Sequence, residues 1–117
     1  MRIHHLAVVV ADLARAEAFY AGLFGLPVLR RQEGRSVWLA LEGGAFLAIE
    51  QAGADGPPRA DAAPGWHCVA LGIAKEDREA WRARATAAGH PVERETAWTL
   101  YLRDPDGNLV ALSHHPD

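Results

Sequence analysis

The sequence predicts an α+β fold built from two repeated βαβββ modules in one chain, on three observations. His4-His5-Leu6-Ala7 reappears as His67-Cys68-Val69-Ala70 at an offset of 63, and each run leads through apolar residues into a polar helix start. The later intervals agree: 39 positions separate His5 from Gly44, and 39 separate Cys68 from Gly107. The helix exits Gly25-Leu26-Pro27-Val28 and Gly89-His90-Pro91-Val92 share the pattern G-x-P-V at an offset of 64, a slip that a bulge or a change in helix length accommodates. Agreement at strand starts, helix ends and last turns marks an internal duplication.

Each element follows in order. Residues 3–10 are nearly continuous in apolar side chains, the pattern of a strand covered on both faces. Asp12 is the N-cap of a helix in which Leu13, Ala16, Tyr20 and Leu23 form one buried stripe, with Gly25 and Pro27 closing it. Three short strands, 28–32, 36–41 and 45–51, are separated by the turn signals Glu33-Gly34 and Gly43-Gly44. Residues 52–65, rich in alanine, glycine and proline, have no periodicity and are expected to be an exposed, mobile linker. Beyond them come a strand at 66–73 and a helix at 76–88 with Trp81, Ala85 and Ala88 toward the core, then strands at 92–96, 98–103 and 108–114. The expectation is a single domain over 1–117, with module 1 about 1–51, the linker 52–65 and module 2 about 66–115.

Composition narrows the function. The chain has 117 residues, half of them apolar, and a net charge of -3, which is enough to bury a core. No basic block is present to follow a phosphate backbone, so nucleic acid is not an expected partner. No apolar run reaches the roughly 18 residues of a membrane span, and no signal peptide is evident, so the expected location is cytoplasmic. The single Cys68 excludes an internal disulfide framework and any multi-cysteine zinc site.

The opening HHLAVVVADLARAEAFYAGLFGLPV and the ending RDPDGNLVAL resemble the vicinal oxygen chelate superfamily, which includes glyoxalase, bleomycin-resistance and extradiol dioxygenase proteins. The resemblance covers essentially the whole chain. It implies that the paired βαβββ modules curl into an open, cup-shaped mixed sheet and that the chain forms a homodimer. Metal-dependent members of that family place ligands at four equivalent positions, at the start of each module's first strand and in each module's last strand. His5 fits the first position. The repeat gives Ala48 for the second, with Glu50 two residues on and on the same face as the nearest carboxylate. The third falls on Cys68 rather than His67, since neighbouring strand residues point to opposite faces. The fourth, after D-P-D-G-N-L-V, is Ala111 where chelating relatives carry glutamate. Alanine cannot coordinate a cation, and a catalytic metal needs about three protein ligands. No cofactor is therefore expected; a divalent metal held by His5 and Glu50 is the alternative.

Aromatic residues supply a second set of candidates. Trp38 lies opposite Val37 and Leu39 in strand alternation, Tyr101 lies opposite Leu100 and Leu102, and the two are related by the repeat offset of 63. If the leucine faces pack under the helices, both aromatics line the cup and offer flat apolar surface to a planar ligand. The alternative is that they fill the barrel or a dimer contact. D-P-D-G reads first as a turn, and His114 and His115 as solvent-facing residues near a polar C-terminus. The arginines are spread so evenly that positive charge for glutathione or phosphate has no evident location.

Three function classes follow. The first is a small-molecule-binding protein of the glyoxalase/bleomycin-resistance type without a catalytic metal, holding a small organic ligand through His5, Trp38, Glu50, Cys68 and Tyr101. The second is a metal-dependent lyase, isomerase or dioxygenase of the glyoxalase type. The third is a metal-free enzyme using Glu50 or His5 as general base.

Overall fold

The computed structural model describes residues 1–53 and 63–117, so most of the expected linker lies outside the described residues. The chain divides into two compact units, Met1–Pro57 and Pro58–Asp117. Unit 1 contains β1 (His5–Val10), α1 (Leu13–Glu17) continuing as a π-helical turn (Ala18–Leu23), β2 (Val28–Gln32), β3 (Ser36–Ala40) and β4 (Phe46–Gln51). Unit 2 contains β5 (Val69–Gly72), α2 (Arg78–Ala87), β6 (Arg94–Glu95), β7 (Thr99–Arg103) and β8 (Leu109–Ser113). Each carries a four-stranded mixed sheet, ordered β1-β4-β3-β2 in one and β5-β8-β7-β6 in the other. The first strand of each unit runs parallel to the last, and the remaining pairs are antiparallel. This is the predicted βαβββ order, twice.

The helix in unit 1 starts where a side chain satisfies a backbone donor: the Asp12 carboxylate accepts from the Arg15 amide at 2.9 Å. Ala16, Tyr20 and Leu23 are buried as their spacing predicts, and the wide π-turn adds Phe19 and Phe24 to the same packed face. Against them lie Val8, Val10, Val37, Leu39, Leu47 and Ile49, one alternating face of the sheet. The opposite face is not covered as expected. His5, Ala7 and Val9 all lie exposed along β1. An apolar run here marks a strand whose second face is apolar yet open, not one sandwiched within its own unit.

In unit 2, Ala85 of α2 is buried and Trp81 half-buried, while Ala88 is exposed and belongs to no core stripe. Leu100, Leu102, Leu109, Val110, Ala111 and Leu112 are the buried residues of β7 and β8. β5 begins at Val69, three residues later than predicted, and Trp66 is exposed. His114 corrects a second expectation. It is buried at 8%, with Nε2 3.3 Å from the Arg78 guanidinium.

Candidate functional site

The open face of sheet 1 carries a row of flat groups, one from each strand. The His5 ring stacks on Phe46 with centroids 4.8 Å apart and planes inclined by 10°. Phe46 stacks on Trp38 at 4.6 Å and 21°. Trp38 in turn has the Arg30 guanidinium over its ring, 5.3 Å from the centroid. These intervals are close to the separation of neighbouring strands, about 4.8 Å. The groups therefore turn their faces to one another and their edges outward. β3 lies between β2 and β4, so the indole is flanked by Phe46 on one side and Arg30 on the other. Trp38 offers an edge, not the flat surface inferred from alternation. His4 sets its ring edge-on to both Phe46 and His5, and the two histidine Nδ1 atoms are 2.8 Å apart, one donating and the other accepting.

A bulge is what brings Arg30 there. Val28 pairs with Leu39, but the next partner of β3, Trp38, pairs with Arg30. A regular ladder would set Leu29 opposite Trp38; the extra residue leaves Leu29 58% exposed and turns arginine onto the indole. The next residue, Arg31, points the other way and donates to Glu17 at 2.8 Å.

Unit 2 repeats the pairing with different residues. The Arg94 guanidinium lies 4.0 Å from the centroid of the Tyr101 ring, across the β6–β7 ladder. The pairs correspond in the duplication, Arg30 to Arg94 at an offset of 64 and Trp38 to Tyr101 at 63. Against Tyr101 stands the His67 ring, with centroids 6.5 Å apart. Both His67 and Cys68 precede the first residue of β5, so strict alternation does not govern them. His67, which the sequence reading set aside, is thus a member of the unit 2 group, while Cys68 is half-buried beside it in sequence.

Neither arginine has a carboxylate partner among the described residues, whereas Arg31, Arg78, Arg82 and Arg103 are all ion-paired. An exposed cation–π contact contributes only about 0.5–1 kcal/mol. Fixing a long arginine side chain costs up to about 2 kcal/mol of rotamer entropy. Stability alone therefore gives little reason for either arrangement.

The residues present do not fit the chelating site that the sequence resemblance implies. Ala48 and Ala111, which the repeat and the resemblance set at the two carboxylate positions, are buried at 2% and 1%. Glu50 shares the open face with His5, but β1 and β4 pair in register His5 with Phe46 and Val9 with Glu50. Four residues of strand set them roughly 13 Å apart. Side chains on one face of a sheet stand roughly perpendicular to it, so the two donor groups stay much farther apart than the roughly 4 Å that two bonds to one ion span. Among the described residues no three histidine, cysteine, aspartate or glutamate side chains gather as a metal cluster. A shallow groove lined by Leu13, Glu17, Arg31 and Val37 opens on the helix side of unit 1, away from the ring row.

Sequence reading missed Phe46, Arg30 and Arg94. Phe46 becomes visible only through the parallel register that sets it opposite His5, and Arg30 only through the bulge.

The profile of a family described as "Glyoxalase/Bleomycin resistance protein/Dioxygenase superfamily" matches residues 2–112. Among solved structures, a lactoylglutathione lyase from Agrobacterium tumefaciens is 28% identical with a TM-score of 0.76, over 97% of this chain and 93% of that one. A glyoxalase/dioxygenase from Nostoc punctiforme superposes with a TM-score of 0.87 at 17% identity, over 99% and 92%. The trypanothione-dependent glyoxalase I of Leishmania major gives 0.79 at 25% identity, over 97% and 86%. Among curated proteins there is no match.

Proposed function

Since the chain belongs to the Glyoxalase/Bleomycin resistance protein/Dioxygenase superfamily, we propose that it is a member that binds a small, partly planar organic ligand and works without a catalytic metal. The observation that carries this reading is the pair of buried alanines, Ala48 and Ala111, at the positions that the repeat and the family resemblance assign to carboxylates. Removing a carboxylate removes a ligand, and His5 with Cys68 would leave only two donors, of different softness, at the four positions. The ring row supplies what binding needs instead: apolar edges from Trp38 and Phe46, and a polar contact from His5 at one end. Glu50, displaced along β4, meets only a ligand that extends along the strand.

The likeness to a lactoylglutathione lyase favours a second reading, a metal-dependent lyase acting on a related thiol adduct. Such an enzyme would have to draw ligands from outside the four positions. The discriminating experiment is calorimetric titration of the native protein with a panel of fused-ring organic compounds, repeated on Trp38→Ala and Phe46→Ala. Saturable binding lost in both variants is expected. Absence of binding throughout, together with lyase turnover on a hemithioacetal, would replace this reading with the second.

A further inference from the structure

The stacked arginines point to the charge of the ligand. We propose that Arg30 and Arg94 are anion-recognising residues, each within its own module, and that the ligand is a planar organic carboxylate. This rests on the small-molecule reading above and adds the ligand's class.

Three observations carry it. First, the two arginines occupy corresponding places in the duplication and lie over the repeat-related aromatics Trp38 and Tyr101, at 5.3 Å and 4.0 Å. An aromatic face holds the guanidinium flat while leaving its in-plane N–H donors free, the fork that matches a carboxylate bidentately. Second, neither has a carboxylate partner among the described residues, although the adjacent Arg31 is bound to Glu17. The two arginines of one strand thus divide the work: Arg31 ties β2 to the helix, and Arg30, on the open face, meets no carboxylate among the described residues. The β2 bulge sets that division. Third, the ring row turns edges outward, and aromatic edges carry the positive part of the ring quadrupole. Such a surface favours the electron-rich face of a conjugated ligand lying across it, with its carboxylate directed to Arg30. Glu50, on the same face, stands two residues along β4 from Ala48, the partner of Trp38, and two strands away from Arg30, and no ion pair joins the two among the described residues.

The test compares 2-naphthoate with its neutral isostere 2-naphthamide by calorimetry and ligand-observed NMR on the native protein. One charge-assisted bidentate pair predicts that naphthoate binds about ten-fold more tightly. Arg30→Gln and Arg94→Gln should each reduce that preference, and the double variant should abolish it; Arg31→Gln should leave it intact. The comparison of probes on the unmodified protein needs no variant to fold. Equal binding of the two probes overturns the anion assignment and leaves the small-molecule reading standing. Binding of neither overturns both. A dimer that dissociates in Phe46→Asp, with no probe bound, assigns the face to a second copy of the chain and likewise overturns the inference.

Discussion

Asp104 is the residue whose role is plainest. It is buried at 3%, and its carboxylate accepts from the Asp106 and Asn108 amides and from the Asn108 side chain at 2.8–2.9 Å. The D-P-D-G-N segment is therefore a turn fixed by its own first side chain, as its composition implied. Asp104→Ala orphans those donors and should cost about 2–3 kcal/mol in chemical denaturation. Glu95 makes a pH-dependent contribution. Hydrogen bonds from Arg82 and then Arg78 hold its carboxyl below the ordinary glutamate value. A depressed folded value means the contribution is complete above the unfolded pKa and is lost as pH falls through the folded one. The melting-temperature gap between the native protein and Glu95→Gln should be constant near neutrality and close as pH drops below about 4.3. His114 shows the limit at this scale. Its place near a polar C-terminus suggested solvent, yet the strand carries it under Arg78, a tertiary event no local pattern records.

At the level of elements, the periodic signals were legible and the register was not. Asp12 could be read as a cap because the side-chain type and the following stripe agree, and Asp12→Ala should cost about 1 kcal/mol of stability. The thermal midpoint would register it. Strand existence also followed from alternation, but two details depended on pairing. The exposed face of β1 was invisible because Ala7 and Val9 are as apolar as the buried Val8 and Val10. The place of Arg30 was invisible because one bulged residue inverts which side chain of β2 meets Trp38. Members of the two aromatic groups were thus legible where they sit at fixed offsets, His5, Trp38 and Tyr101, and illegible where cross-strand geometry decides. Phe46→Ala should break the row by removing both ring stacks, each worth about 0.5–1.5 kcal/mol beyond area burial. Equilibrium denaturation would show a loss of roughly 1–3 kcal/mol.

At the scale of the whole molecule, the duplication explains most of what was readable: a repeated pattern constrains both halves, and the same strand order appears in both sheets. No helix among the described residues is long and apolar enough to cross a membrane. Ala7 and Val9 leave an apolar surface beside the ring row of unit 1. We expect a homodimer burying more than roughly 1,000 Å² in total. Light scattering at micromolar concentration should report twice the 12.7 kDa chain mass, and a monomeric mass would contradict it. The central claim, binding without a catalytic metal, is tested most directly by elemental analysis of untagged native protein after dialysis against a mild chelator, with His5→Ala alongside. No stoichiometric zinc, nickel, iron or manganese should be found in either form. One equivalent of metal in the native protein, lost in His5→Ala, would contradict the account.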